Sequence, residues 1–323
     1  MKRAPAHAGK LPAWERLVFM VVFALMAVFV VAVTMSAAKS NSTLAGAGRS
    51  GQVIGDGLPT PSTGGSGVHD VAGAGGGSPA AGTRTELDRK LAAALRPLVR
   101  AGTGHLAVGV IDIGTGAEAV YGARRHFHTA SIEKADILAA LLLQHERAGT
   151  SLTDREAQLA VPMIENSDDQ AASSLWRLAG GRAGVAAVNQ QFGLSHTVMG
   201  RSGLWGLTST TVADQLRLLT ELTQPTSPLS VTSRDYELGL MENVQAGQRW
   251  GVSAAATPGT SYALKDGWLP DPDLWVLNSI GVVEHGRQQL LIAVLSDDQP
   301  NEAAGIAADS AAAAIAARVV TKG

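Results

Sequence analysis

A chain of 323 residues with a formal net charge of −2 and dispersed basic residues offers no basis for a nucleic-acid groove. It contains no cysteine, which excludes disulfides, thiolate metal sites, a cysteine nucleophile and a lipidated cysteine anchor. The length suits two small domains, or one large domain with appendages.

In chain order, the first element is an unbroken apolar run, Leu17–Val33, which Thr34–Ala38 extends with small residues. Roughly 20 residues at about 1.5 Å each cross a hydrocarbon core, so Leu17–Ala38 reads as a transmembrane signal anchor. Lys2, Arg3, Lys10 and Arg16 precede it against the single acid Glu15, which places the N-terminus in the cytoplasm and the rest outside. Ser36-Ala37-Ala38 also fits a signal-peptidase site, and cleavage there would release the domain. Residues 39–85 hold 13 of the 37 glycines and no aromatic residue, the composition of a flexible Gly/Ser/Pro-rich linker. Its coil dimension is about 35–40 Å.

From Glu86 to the end the composition is globular. Leu87, Leu91, Leu95 and Leu98 form one helical stripe that Pro97 is expected to kink or end. Residues 105–122 alternate about Gly114-Thr115-Gly116 and read as a hairpin. Helices are expected over 131–147, 168–179, 182–192 and 210–222, followed by three strands from Tyr262 and an Ala-rich closing helix. This order predicts a two-lobed α+β fold. An antiparallel five-stranded sheet would be covered by the N- and C-terminal helices, beside an all-helical lobe. Residues of the helical block and of the first late strand could meet in the cleft between the lobes.

Ser131 and Lys134 lie one turn apart at the start of a predicted helix, near unpaired N–H groups. A serine hydroxyl needs a base to attack a carbonyl, and a lysine kept neutral by burial or a second cation can serve. The spacing alone is weak, because Ser36 and Lys39 repeat it at the membrane exit. Two further stretches add to it: Ser167-Asp168-Asp169 ahead of a helix, and Lys265-Asp266-Gly267 on a strand. Gly200-Arg201-Ser202-Gly203 is a poorer nucleophile candidate, and His126 and His128 lack a third ligand nearby. Glu133 is as readily a solvated surface acid as a functional one.

In order and context, the three stretches resemble the S-x-x-K, S-D-N and K-T-G signatures of class A β-lactamases and penicillin-binding proteins. The resemblance implies a membrane-anchored, extracytoplasmic serine acyl hydrolase with no cofactor and no metal. Its partner would be a β-lactam or an acyl-D-alanyl cell-wall peptide. Ser131 would be the acylated nucleophile, Lys134 its base or proton relay, and Ser167 the donor to the leaving nitrogen. Asp168 would be structural at an inter-helix turn. Lys265, Asp266 and Gly267 would line the substrate-carboxylate site, and Asp169 would face the substrate's acyl-amide group. The N–H groups of Ser131 and Trp268 would form the oxyanion hole.

The departures are specific. Asp169 replaces an amide donor with an acceptor-only carboxylate, and an ionised Asp266 would repel a substrate carboxylate. The segment between Lys134 and Ser167 is shorter than usual. The stretch 196–214 carries no acid before Asp214, where class A enzymes keep a glutamate that activates the deacylating water. Slow deacylation is therefore expected. The alternative is a degenerate domain that binds a cell-wall peptide or protein partner without turnover.

Overall fold

The computed structural model describes residues 79–102, 104–271 and 273–321. The expected anchor Leu17–Ala38 and the linker up to residue 78 lie outside them. The first described helix, α1 (Pro79–Ala101), begins before Glu86 and takes in the end of the expected linker. Proline is tolerated in a first turn, and the alanines after it favour helix. Pro97, expected to kink or end this helix, lies within it and does not end it. Leu87, Leu91 and Leu95 are buried, and their packing outweighs one lost backbone bond.

Next come β1 (His105–Asp112) and β2 (Glu118–Tyr121), paired antiparallel. Asp112 closes their turn by accepting from Gly114 N and Thr115 Oγ1, and Gly116 adopts a φ of 71°. A short strand β3 (Phe127–His128) leads into a 3₁₀ turn, Ala130–Ile132, and then α2 (Glu133–Arg147). The helical lobe continues with α3 (Asp154–Glu165), α4 (Asp169–Leu178) and α5 (Gly181–Phe192). After a 3₁₀ turn at Trp205–Leu207 come β4 (Ser209–Thr210), α6 (Val212–Thr223) and α7 (Val231–Glu242). Strands β5 (Tyr262–Asp271), β6 (Leu274–His285) and β7 (Gln288–Gln299) and the helix α8 (Glu302–Thr321) close the chain.

Helices α3 and α7 were not expected from periodicity. Helix α3 does carry a capping box, in which Thr153 and Glu156 satisfy each other's backbone N–H groups. Its apolar residues crowd into its second half, Leu159 to Ile164, around Pro162. Helix α2 is buried on all sides from Glu133 to Leu143, as the central helix of its lobe must be.

The sheet order is β2-β1-β7-β6-β5, antiparallel throughout, as expected for the α+β fold. Helix α8 packs on one face. Gly305 permits this, since a Cβ there would lie 2.4 Å from Leu277. Helix α6 packs on the other face over Gly109, where a Cβ would lie 2.5 Å from Leu216. Among the described residues α8 is also the one helix long and apolar enough to cross a membrane, yet Ala312, Ala313, Ala316 and Ala317 are buried. Strand β5 is the edge nearest the helical lobe, so alternate backbone groups along it are free to meet another chain.

One buried amide ties the sheet to the chain that enters the Ser131 turn. Asn278 on β6 donates to His128 O (2.8 Å) and Thr129 O (3.0 Å), holding the chain that enters the 3₁₀ turn. Replacing Asn278 with Ala removes both bonds, leaving Thr129 O with only its 3.3 Å contact from Ile132 N, and urea denaturation should show a loss of about 1–3 kcal/mol.

Candidate active site

Ser131 occupies the middle of the 3₁₀ turn, and three constraints set its position. Thr129 N donates to Thr208 O (2.8 Å), Asn278 holds the preceding carbonyls, and Ala130 is forced to a φ of 47°. A left-handed alanine is strained and persists only where its surroundings over-determine it. On the opposite side lies Gly267 of β5. A Cβ there would sit 2.7 Å from Ser131 N and 2.8 Å from Ile132 N, so only glycine allows the strand to reach the turn.

Lys134, in the first turn of α2, is wholly buried. Its Nζ lies 2.9 Å from Ser131 Oγ, 2.6 Å from Ser167 O, 2.9 Å from Ser167 Oγ and 2.7 Å from Asp169 Oδ1. An ammonium has three protons for these four neighbours. A neutral amine instead donates to Ser167 O and Asp169 and accepts from one hydroxyl, the arrangement that draws a proton from Ser131. Burial lowers the affinity of Lys134 for its proton, while Asp169, through its hydrogen bond and its charge, opposes that shift.

Ser167 sits in the turn between α3 and α4 with a φ of 57°. This conformation aims its hydroxyl between two cations: Lys134 Nζ at 2.9 Å and Lys265 Nζ at 3.1 Å. Asp168 caps α4 by accepting from Ala171 N (2.7 Å), a structural task. Lys265 is as buried as Lys134, and it also donates to Asp266 O (2.9 Å). Burial first, and then the charge of Lys134, push it down to about 7.

The structure therefore brings together Ser131, Lys134, Ser167, Asp169, Lys265 and Gly267. It does not bring Asp266 with them, and the expected substrate contact is corrected. Side chains alternate along a strand, so Lys265 and Gly267 face the helical lobe while Asp266 points to the other face. There it is wholly buried, accepts from Trp250 N (3.2 Å) and lies beside Ser279. Burial pushes its carboxyl up to about 8, so it is a neutral acid below that pH and repels nothing in the cleft. The Trp268 ring packs near Trp250, with centroids 6.4 Å apart, while the backbone of Trp268 follows Gly267 along the edge strand.

Glu133 is not a solvated surface acid. It is buried beside Thr208 and Thr129, and desolvation raises its carboxyl well above the usual range. Asp214, the first acid of the 196–214 stretch, anchors that stretch from within by accepting from His196 N (2.8 Å) and Thr197 Oγ1 (2.7 Å). Trp205 was missed. Its ring centroid lies 5.0 Å from Lys134 Nζ, and its Nε1 donates to Ser173 Oγ (3.1 Å). Gly206 follows it, with Ala130 as the neighbour its Cβ would meet, at 3.8 Å. The stretch where a base was sought thus presents an indole and a glycine. A tryptophan among small residues carried no signal of this. Away from these residues, His105, Asp297 and Asp298 could hold a cation, but Arg125 Nη2 already stands 3.6 Å from Asp297.

Two outcomes follow. Gly267→Ala should push the Ser131 turn off the strand and lower labelling of Ser131 by a serine-directed fluorophosphonate about 100-fold, with circular dichroism unchanged. Asp266 holds its proton up to about pH 8 when folded, against an ordinary carboxyl value of 3.8. The folded state therefore carries the extra proton between those values, and stability falls as pH rises through that window. In Asp266→Asn, the urea midpoint should fall less between about pH 5 and about pH 8 than in the unmodified chain.

The comparisons with known proteins agree with this geometry. Solved structures with the same fold include a class A beta-lactamase from Bacteroides cellulosilyticus (TM-score 0.64, 16% identity, 73% of this chain and 99% of that one). A class A beta-lactamase from Mycobacterium abscessus gives 0.60 at 21% identity, covering 72% and 98%. A mutant of PBP-A, solved as an acyl-enzyme complex with penicillin-G, gives 0.63 at 20% identity, covering 74% and 97%. The "Putative lipoprotein LppW" of Mycobacterium tuberculosis is 28% identical over 204 residues, 60% of this chain. The alignment spans 63% of that relative's length, under two thirds. The sequence model of the beta-lactamase enzyme family matches residues 155–321, which include Ser167 and Lys265 and follow Ser131 and Lys134. With the sheet order, the lobes and that match in accord, the chain belongs to the beta-lactamase enzyme family.

Proposed function

We propose that this protein is a serine acyl hydrolase of the β-lactamase and penicillin-binding type, acting on β-lactams or acyl-D-alanyl peptides. The observation that carries the reading is the 2.9 Å contact between Ser131 Oγ and Lys134 Nζ, continued through Ser167 Oγ to Lys265. In the forward step Ser131 Oγ bonds to the substrate carbonyl carbon and the carbon–nitrogen bond breaks. The hydroxyl proton passes to Lys134 and, through Ser167, to the departing nitrogen. The N–H groups of Ser131 and Trp268 receive the developing oxyanion.

The acyl-Ser131 species should persist. Trp205 covers Lys134 where a water and its base would approach, and Gly206 beside it has no side chain to supply one. A second reading, a domain that binds a peptide without turnover, draws on the Lys134–Asp169 ion pair, which favours the protonated and non-basic lysine. The site of action would be the outer face of a membrane. The apolar run Leu17–Ala38 supports this, as does the lipoprotein name of the mycobacterial relative. With no cysteine in the sequence, that run rather than a lipid would be the anchor.

Intact-mass analysis of the full chain in detergent after incubation with benzylpenicillin tests the proposal. The expected result is a long-lived adduct of the whole penicillin that Ser131→Ala abolishes. Absence of both adduct and hydrolysis with benzylpenicillin, with 6-aminopenicillanic acid and with an acyl-D-Ala-D-Ala peptide would overturn it.

A further inference from the structure

The carboxylate of Asp169 is the solvent-facing charge of the site. Its side chain is 77% exposed, whereas that of Lys134, to which it is paired at 2.7 Å, is not exposed at all. It stands no more than two hydrogen bonds from Ser131 Oγ. A substituent next to the carbonyl of an acyl group on Ser131 is then within reach of Asp169.

The surrounding groups leave Asp169 only one way to meet that substituent. Asp168 is committed to Ala171 N, Glu133 is buried beside Thr129 and Thr208, and Asp266 faces the opposite side of β5. Lys134 engages Oδ1, and Oδ2 has no partner among the described residues. An ionised carboxylate only accepts. When a substrate covers it, a carbonyl oxygen in that position adds repulsion and leaves Oδ2 stripped of water without a donor. An N–H-bearing group satisfies it. An amide at this position carries both a donor and an acceptor and accommodates either group, so the carboxylate selects by what it penalises.

Resting on the acyl-transfer reading above, we propose that Asp169 makes this a site for substrates with an unacylated amine beside the scissile carbonyl. These would be short peptides with a free terminal amine, or aminolactams, rather than N-acylated ones. Asp169 acts here as a specificity-determining residue. Its hold on Lys134 affects every substrate alike, so the discriminating quantity is a ratio of rates for two substrates on one protein.

The probes are 6-aminopenicillanic acid, whose amine is free, and benzylpenicillin, whose amine is acylated. Acylation rates are followed by intact mass on the full chain in detergent, for the unmodified protein and for Asp169→Asn. Asparagine keeps the shape and supplies a donor. The rate ratio of 6-aminopenicillanic acid to benzylpenicillin should fall about tenfold or more in Asp169→Asn. An adduct with benzylpenicillin that appears only in Asp169→Asn would support the proposal equally. Adducts with both probes and a ratio that stays within about twofold would overturn it and leave the acyl-transfer reading standing. No adduct with either probe in either protein would overturn both.

Discussion

Two lysine ammonium groups removed from water share one serine hydroxyl, and the arrangement of the site follows from that constraint. An isolated buried lysine gives up its proton more readily, and a second cation close by drives the same change. Lys134 and Lys265 meet both conditions, with Ser167 Oγ between them at 2.9 and 3.1 Å. Asp169 works against the change at both, through a hydrogen bond and its charge at Lys134 and through its charge only at Lys265. The pair is therefore asymmetric. One lysine is poised between base and ammonium by an exposed carboxylate, and the other is pushed toward neutrality with only a hydroxyl and a carbonyl as partners.

Holding such groups together requires close contact between the lobes, whose buried residues form one core. The contact is made at a few unyielding points. Gly267 lets β5 touch the Ser131 turn, Asn278 ties that turn to β6, and Lys265 of β5 reaches Ser167 Oγ in the helical lobe. Left-handed backbone at Ala130 and Ser167 marks where the chain is bent to suit the site. Strain of this kind costs on the order of 1–3 kcal/mol per residue and is sustained by the surrounding packing.

The same economy extends behind the site. Asp266 and Asp309 lie buried on the α8 side of the sheet, and Glu133, Asp136 and Glu237 lie buried in the helical lobe. Desolvation raises all five carboxyls, Asp136 to about 7 and Asp266 to about 8. As neutral acids they add polarity to the core without adding charge beside the two lysines. In the wall of the cleft, Asp168 and Asp169 are then the acids that stay exposed, and Asp169 is the one bonded to Lys134.

The α+β architecture and the members of the polar cluster were legible in the amino-acid sequence because both leave local marks. Hydrophobic period changes between helix and strand, and Ser131, Lys134, Ser167 and Lys265 stand in short stretches of recognisable order. Helices α3 and α7 left weaker marks, and the start of α1 was hidden within a glycine-rich composition. What the tertiary structure alone decided is which way each side chain faces and what lies across from it. The face of Asp266 depends on the phase of β5 against its neighbours, and the burial of Glu133 on the helices packed around α2. The seat of Trp205 over Lys134 joins residues far apart in the chain. Local pattern carries the period of an element, but its phase against the rest of the molecule is set only when the lobes close on each other.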